Sequence, residues 1–306
     1  MITFTTQSMQ TIIKFLEDTF KQTEELSFIT INPDTYDHYA GESIEVQGIS
    51  YIYRSYKSWT DLAELLLCKM LTPKPINHHL IQLTFVKLKK KTFHTDTKHI
   101  EKYGTHSHFF TIHKMEEPAF LYYYQQALHN VTLSKRTDIL NLGINRGDEF
   151  KIIKNFLDIK EYEKMHLLGI DHSQSAIHYA KNIFKEKNVT FYTKDITDLD
   201  TLGLGQFDLL ISIGTLQSPS IPFKAFFMHL IQTYMKHDAA IILGFPNSRW
   251  LGGEMIYGAK APHYQMSEMS LLFNDVIFCK KYLQQKKYRV TITGKQYIFL
   301  TATKMV

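Results

Sequence analysis

The spacing of hydrophobic residues divides the first ninety positions into short helices and strands. Apolar residues recur at helical intervals over residues 8–26 and 59–70. Ile, Val, Phe and Tyr are concentrated in residues 27–32, 43–56 and 79–88, which predicts strands there. This part of the chain is therefore predicted to form a small α+β unit.

After residue 115 short apolar segments alternate with helical ones. A helix is predicted to begin at 116–118, and strands at 139–142, 166–170, 189–192, 207–213 and 239–245, with helices between them. Such alternation indicates an α/β fold with a doubly wound, mostly parallel sheet. The last two predicted strands, 288–293 and 296–303, are joined by a two-residue turn, so they must be antiparallel to each other.

The stretch from 89 to 114 separates these two patterns. It is polar, rich in His and Lys, and has no clear periodicity. We place a domain boundary here, which predicts an α+β domain over residues 1–114 and a doubly wound domain over residues 115–306.

Composition narrows the class of protein. With 306 residues of which 44% are hydrophobic, the chain can bury a proper core. The excess of 35 Lys and Arg over 30 Asp and Glu is mild, so an anionic partner is permitted but not required. Cys68 and Cys279 lie far apart in sequence, which argues against a disulfide framework and a cysteine zinc site. The sequence begins without a basic segment followed by an apolar run, and it lacks 18 consecutive apolar residues, so we expect a soluble cytoplasmic protein.

The most informative segment follows the strand at 139–142 and contains two glycines. Gly143 lets a ligand approach the end of the strand, and Gly147 opens the next helix. Backbone N–H groups in such a turn can face a bound nucleoside. The alternative interpretation is an ordinary loop between a strand and a helix.

Three further strand ends carry candidate ligand groups. Asp171 ends the second strand and can accept both ribose hydroxyls of a nucleoside, or it can cap the next helix together with Ser173. Asp195 can receive an adenine amino group while Ile196 covers the ring, although an isolated acid there can also be a simple loop residue. Small polar residues at 212–216 suit the floor of a cleft.

In their order, these four segments resemble the class I S-adenosylmethionine-dependent methyltransferases over residues 115–306. The resemblance implies a seven-stranded sheet with an antiparallel last strand, S-adenosylmethionine as the cofactor, and an N-terminal domain for substrate recognition or dimerisation. It implies a cofactor site formed by the following ten residues: Asn141, Gly143, Asn145, Gly147, Asp171, His172, Asp195, Ile196, Ser212 and Gly214.

Two departures from the family pattern lie in the glycine-containing turn. The family usually has an acid at the position of Asn141 and a glycine at the position of Asn145. Asn145 can adopt a left-handed backbone, and Asn141 can hydrogen-bond a cofactor but cannot pair with its amino group as a charge. A non-catalytic binding or scaffold protein with a degenerate pocket is therefore the alternative to a methyltransferase.

Candidates for substrate contact follow the fifth strand, in a segment that extends to about residue 263. They are Asn247, Arg249, Trp250 and Tyr257. Four side chains of the segment can act as a base: Glu254, Tyr257, His263 and Tyr264. The sequence does not choose among them, so no catalytic residue is assigned. The alternative interpretation is a packed surface loop anchored by Trp250.

The class of substrate stays open between a small molecule and an RNA. The basic run at 87–91, followed by Phe93 and His94, can contact phosphates and bases, or it can be a solvated strand end. An Asn-Pro-Pro-Tyr segment after the fourth strand is lacking, which argues against methylation of adenine or cytosine amino groups. The six histidines between 78 and 108 have no metal-site spacing, so no metal is expected. A homodimer is a further possibility.

Overall fold

The computed structural model describes residues 1–89, 103–259 and 267–305. Contacts divide the chain into two units: the described parts of Met1–Lys91 with Trp250–Ile256, and those of Thr92–Arg249 with Tyr257–Val306. Among the described residues the division therefore falls between Lys89 and Tyr103, whereas we placed it at residue 114 from the sequence. The physical reason is that residues 103–113 are hydrogen-bonded to residues of the second unit.

The first unit is a small α+β fold. In chain order it contains β1 (Ile2–Thr3), α1 (Met9–Phe20), β2 (Glu25–Ile31), β3 (Ser43–Val46), β4 (Ile49–Ile52), α2 (Tyr56–Leu65), β5 (Cys68–Met70), β6 (Lys74–Pro75) and β7 (Leu80–Lys87). Strands β1, β2, β7 and β5 form a sheet in that order, and β6 also pairs with β7. Its core is aromatic, with Phe28, Trp59 and Phe85 all fully buried.

Three elements of the first unit differ from the sequence expectation. Helix α1 ends at Phe20 rather than at residue 26, because β2 already begins at Glu25. The predicted strand over 43–56 is instead a hairpin of β3 and β4, because Gln47 and Gly48 both have positive φ and reverse the chain. Helix α2 ends at Leu65 rather than at Met70, since Leu67 has a φ of 55°. The residues after it form β5.

The second unit has the predicted alternation of strands and helices. In chain order it contains α3 (Pro118–Asn130), β8 (Asp138–Leu142), α4 (Asp148–Phe156), α5 (Ile159–Tyr162), β9 (His166–Asp171), α6 (Gln174–Ile183), β10 (Val189–Thr193), β11 (Phe207–Ile213), α7 (Phe223–Thr233), β12 (Met235–Pro246), α8 (Ser270–Gln285), β15 (Tyr288–Gly294) and β16 (Tyr297–Lys304). Between β12 and α8, where the sequence suggested a loop, the chain forms a hairpin of β13 (Ser248–Leu251) and β14 (Glu254–Tyr257).

The seven strands of the second unit form one sheet in the order β10-β9-β8-β11-β12-β16-β15. Every neighbouring pair from β10 to β12 is parallel, and β16 is antiparallel to both β12 and β15. The predicted fold class is therefore confirmed. Strand β11 is buried along its whole length, as expected for a central strand covered on both faces.

Strand order also determines where a ligand can bind. From β8 the chain proceeds to β9 and β10 on one side of the sheet, and then returns to β11 on the other side. The carboxyl ends of β8 and β11 therefore flank a topological switch point, where open α/β sheets bind their ligands. The turn after β8 lies at this point.

Three further observations concern the described residues. No helix among them is both long and apolar enough to cross a membrane. No group of three or more His, Cys, Asp and Glu side chains within residues 1–89, 103–259 and 267–305 is arranged to hold a metal ion. Cys68 and Cys279 are both buried free thiols.

Candidate functional site

The turn between β8 and α4 holds three residues in the left-handed region. Gly143, Asn145 and Gly147 have φ values of 78°, 47° and 89°. A Cβ atom on Gly143 would lie 1.9 Å from Thr215 Oγ1, so no side chain fits at that position. Asn145 adopts the conformation for which the family uses glycine, as asparagine can. The backbone of the turn therefore keeps its shape despite the departure at Asn145.

Asp171, the last residue of β9, connects that strand to the turn. Its Oδ2 accepts the backbone N–H of Asn145 at 2.9 Å, and its Oδ1 accepts the backbone N–H of Ser173 at 2.9 Å. The side chain is buried, and burial raises the pKa of this carboxyl above its ordinary value, against the lowering effect of these hydrogen bonds. Its neighbour His172 is exposed, with Nδ1 at 3.5 Å from Asp171 Oδ1.

Asp195 and Ile196 follow β10 and differ in their exposure. Asp195 is exposed and caps a short 3₁₀ helix, because its Oδ1 accepts the backbone N–H of Thr197 at 2.9 Å and its hydroxyl at 2.7 Å. These hydrogen bonds lower the pKa of Asp195. Ile196 is buried in the core beneath. The structure therefore gives Asp195 a role as a helix cap, which the sequence did not predict.

Ser212 and Gly214 lie at the end of β11. The Ser212 hydroxyl donates to the Leu142 carbonyl at 3.2 Å, which links the ends of β11 and β8. Gly214 has a φ of 71° and donates its backbone N–H to the Gly244 carbonyl at 2.8 Å. Both residues therefore shape the strand ends on either side of the switch point.

Asn141 lies in β8 and is 1% exposed. Among the described residues its Nδ2 has no hydrogen-bond partner. A buried amide donor without a partner costs roughly 1–3 kcal/mol, which an acceptor atom of a bound ligand would recover. This unpartnered donor fits a ligand that presents an acceptor atom, such as a carboxylate oxygen, near the end of β8.

The candidate substrate residues do not form one cluster. Asn247 is buried at the end of β12, where its Nδ2 donates to the Lys295 carbonyl at 3.0 Å and its Oδ1 has no partner among the described residues. Arg249 donates to Ser267 Oγ at 3.4 Å, and Tyr257 is 46% exposed. Trp250 belongs to the first unit. His263 and Tyr264 lie outside the described residues.

Sequence reasoning missed a charged group beside the turn. Lys114 Nζ lies 5.4 Å from the ring centre of Tyr297 and 5.5 Å from that of Phe109. Burial lowers the pKa of Lys114, but the nearby Tyr297 and Glu149 outweigh this and raise it above its ordinary value. Burial also raises the pKa of Glu149, the second residue of α4, to about 7. Of these residues only Tyr297 had a signal in the sequence, because the predicted antiparallel last strand begins beside the carboxyl ends of the parallel strands.

Sequence reasoning also missed that the segment from Tyr103 to His113 is hydrogen-bonded to the turn and to α6. The Asn145 side chain donates to the Tyr103 carbonyl at 2.8 Å, and the backbone N–H of Thr105 donates to Ser175 Oγ at 2.9 Å. Arg146 donates to the Phe110 carbonyl at 3.0 Å and lies over the Phe110 ring at 4.9 Å. Nothing in the periodicity of this stretch indicates these contacts.

The basic run after β7 is described only in part. Lys87 pairs with Glu24 at 3.1 Å, so its charge has a partner within the first unit. Lys90, Lys91, Phe93 and His94 lie outside the described residues. A role of the run in binding phosphates stays a prediction.

Comparison with known proteins gives the family. Residues 133–292, slightly more than half of the chain, match the family model described as a methyltransferase domain. No curated protein matches the sequence.

Among solved structures, similarity in fold extends to several methyltransferases. The plantazolicin methyltransferase BpumL, solved with S-adenosylhomocysteine, is 13% identical over 63% of this chain and 88% of its own, with a TM-score of 0.42. A S-adenosylmethionine-dependent methyltransferase from Aquifex aeolicus is 17% identical over 60% and 89%, with a TM-score of 0.42. The 1,6-didemethyltoxoflavin-N1-methyltransferase from Burkholderia thailandensis is 15% identical over 65% and 81%, with a TM-score of 0.41.

The family match covers β8 to β15, including the glycine-containing turn, Asp171 and the strand ends at Asp195 and Gly214. These are the segments on which the resemblance to the methyltransferases rests, and the sheet order with its antiparallel β16 agrees with it. S-adenosylmethionine is the cofactor of this family. The chain belongs to the class I S-adenosylmethionine-dependent methyltransferases.

Proposed function

We propose that this protein binds S-adenosylmethionine at the turn after β8 and transfers its methyl group to an acceptor that is a small molecule or an RNA. The observation that carries the proposal is the Asp171 carboxylate, which is buried at the end of β9 and joined to the turn through the backbone N–H of Asn145. An acid in this place can accept ribose hydroxyls.

Each part of the proposed cofactor site has a distinct task. Asp171 would hold the ribose, Ile196 would cover the adenine ring, and the Asn141 side chain would lie beside both the amino group and the carboxylate of the methionine moiety, donating its amide N–H to the carboxylate. Gly143 lets the turn pack closely against Thr215, since a Cβ there would clash with that side chain. When bound, S-adenosylmethionine supplies a methyl group activated by its sulfonium charge. The chain contributes by orienting the two partners, which can account for a large part of the rate.

The acceptor class can be separated by experiment. The purified protein would be incubated with S-adenosylmethionine carrying a labelled methyl group, together with small-molecule and RNA fractions of an extract. We expect label to enter at least one fraction, and to be lost when Gly143 is replaced by Ala. If RNA is the acceptor, its binding should weaken steeply with salt, because phosphate contacts release counterions.

A second candidate function is a non-catalytic binding or scaffold protein. Asn141 favours it, because an amide in place of the family's acid cannot pair with the cofactor's amino group as a charge. This candidate predicts no labelled product in any fraction and no binding of S-adenosylhomocysteine.

We also propose three further features of the protein. The first unit would recognise the acceptor or form a dimer, and the candidate acceptor contacts are Asn247, Arg249, Trp250 and Tyr257. We also propose a cytoplasmic location, in keeping with two buried free cysteines. Size-exclusion chromatography with light scattering tests for the dimer.

A further inference from the structure

Tyr297 brings a phenol to the edge of the sheet where the methyltransferase site lies. It is the first residue of β16, and it pairs with Pro246 at the end of β12. Because β16 is antiparallel, its beginning lies beside the carboxyl ends of the parallel strands. The Tyr297 hydroxyl lies 3.7 Å from the point where a Cβ on Gly214 would stand. The phenol therefore reaches the end of β11.

Lys114 places a positive charge against this phenol. Its Nζ lies over two aromatic rings, 5.4 Å from the centre of Tyr297 and 5.5 Å from that of Phe109. A cation held over aromatic faces gains electrostatic attraction, and the gain grows when water is excluded. The rings therefore fix the position of the ammonium group at this edge of the sheet.

The charge of Lys114 is only partly balanced by the protein. None of the ion pairs between described residues includes Lys114, and the carboxylates that act on it are Glu149 and Asp148. Asp148 is already paired with Arg146 at 3.4 Å. Burial raises the pKa of Glu149 to about 7, so near neutral pH this carboxyl is charged only part of the time. An additional anion would therefore be favoured beside Lys114.

We propose that Lys114 and Tyr297 form the acceptor side of the site and select an acceptor that presents an anionic oxygen, such as a carboxylate or an acidic phenol. The inference rests on the proposed methyl transfer and names the class of acceptor for that same site. Lys114 attracts the anion, and the Tyr297 hydroxyl donates a hydrogen bond to it. Charge-assisted hydrogen bonds of this kind are stronger than neutral ones.

Transfer to such an acceptor needs no general base. The anionic oxygen forms a bond to the methyl carbon while the carbon–sulfur bond breaks, and the electron pair of that bond stays on sulfur. The oxygen loses its negative charge, the sulfonium becomes a neutral thioether, and no proton moves. The methylated product is neutral at that oxygen, so it no longer pairs with Lys114 and is released more readily.

The test compares two small probes that differ in charge. Binding of benzoate and of benzyl alcohol to the full chain would be measured by saturation-transfer NMR, with and without S-adenosylhomocysteine. The variants are Lys114→Met, Lys114→Arg and Tyr297→Phe, with Lys281→Met as a control at an exposed lysine. Circular dichroism and binding of S-adenosylhomocysteine would be measured for each variant.

We expect benzoate to bind better than benzyl alcohol, and Lys114→Met to weaken benzoate binding about tenfold, the value of one lost charge-assisted hydrogen bond. Lys114→Arg should keep most of the affinity for benzoate, and Tyr297→Phe should lose less affinity than Lys114→Met. Lys281→Met should leave the affinity unchanged. Equal binding of the two probes, no binding of benzoate, or an unchanged Lys114→Met would overturn the inference. Failure to bind S-adenosylhomocysteine in the unmodified chain would instead count against the proposed function.

Discussion

Asp171 and Asn145 are joined by a hydrogen bond of 2.9 Å between a carboxylate oxygen and a backbone N–H. The acid proposed to hold the ribose therefore also fixes the residue that departs from the family's glycine. Asn145 in turn donates from its side chain to the Tyr103 carbonyl at 2.8 Å. The departure thus has a structural role, since it fastens the segment from Tyr103 to His113 to the turn.

Replacing Gly143 by Ala should disrupt the turn. The new Cβ would lie 1.9 Å from Thr215 Oγ1, and the φ of 78° disfavours any L side chain. We expect a loss of at least about 3 kcal/mol in the free energy of unfolding. Gly203→Ala is the matched control, because its φ is also positive but nothing lies within 4 Å of the new Cβ. That control should lose only about 1–2 kcal/mol. Urea titrations followed by circular dichroism measure the free energy of unfolding of both variants. Equal losses in Gly143→Ala and Gly203→Ala would contradict a clash at Gly143.

Glu149 should make stability fall as pH rises. Its pKa is 4.5 as an ordinary group and about 7 in the folded protein, because it is buried. The folded state therefore holds this proton over a pH range in which the unfolded chain has released it. The contribution of Glu149 to the free energy of unfolding, about 3 kcal/mol, is fully present below pH 4.5 and is lost as the pH rises through 7.

Glu149→Gln tests this dependence, because the amide cannot ionise. Urea unfolding at a pH near 4.5 and at a pH above 7 should show a smaller difference for the variant than for the unmodified chain. Glu163→Gln changes an exposed carboxyl and should leave the difference unaltered. An identical pH dependence in the unmodified chain and Glu149→Gln would show that Glu149 is not the group responsible.

Asn141→Asp restores the acid of the family and should have opposite effects on stability and affinity. Asn141 is 1% exposed, so a carboxylate there is desolvated and should lower the melting temperature of the ligand-free protein. Binding of S-adenosylhomocysteine should tighten about tenfold, since the carboxylate pairs with the amino group of the ligand. Thermal unfolding and calorimetry measure the two effects, with the exposed Asn182→Asp as control. Weaker binding by Asn141→Asp would argue against the assigned place of the amino group.

Arg146→Lys should loosen the segment from Tyr103 to His113. The guanidinium donates to the Phe110 carbonyl at 3.0 Å and lies 4.9 Å from the Phe110 ring and 5.3 Å from the Tyr179 ring. A lysine cannot keep the planar contacts. Chymotrypsin should then cleave at Phe109 or Phe110 about tenfold faster, in line with a local loss of roughly 1.4 kcal/mol. Mass spectrometry locates the cuts, and the exposed Arg289→Lys should show the rate of the unmodified chain. Equal cleavage rates for Arg146→Lys and the unmodified chain would show that other contacts stabilise the segment.

The alternation of apolar segments predicted the sheet of the second unit well, because buried parallel strands are continuous apolar runs. Strand β11, for example, has the predicted bounds of 207–213. Local pattern failed where backbone conformation decides: the hairpin turn at Gln47 and Gly48 and the end of α2 both depend on positive φ. The β13–β14 hairpin has too little apolar alternation to be distinguished from a loop.

Within the candidate site, sequence order located the groups at strand ends but not their partners. Asp171 and Gly143 could be found because they follow strands directly. Lys114 and Glu149 could not, because their positions depend on how α3 and α4 pack beside the turn. Asp195 illustrates another limit, since the sequence left open whether it is a ligand group or a simple loop acid, and the structure shows that it caps a 3₁₀ helix through Thr197.

Calorimetric titration with S-adenosylhomocysteine tests the central claim most directly. The unmodified protein should bind one equivalent per chain, and Asp171→Asn should weaken binding about a hundredfold, because it removes a buried charge from the ribose position. Asp37→Asn, at an exposed carboxyl of the first unit, should bind like the unmodified protein. Absence of binding to the unmodified protein, or equal affinity for Asp171→Asn, would contradict the account.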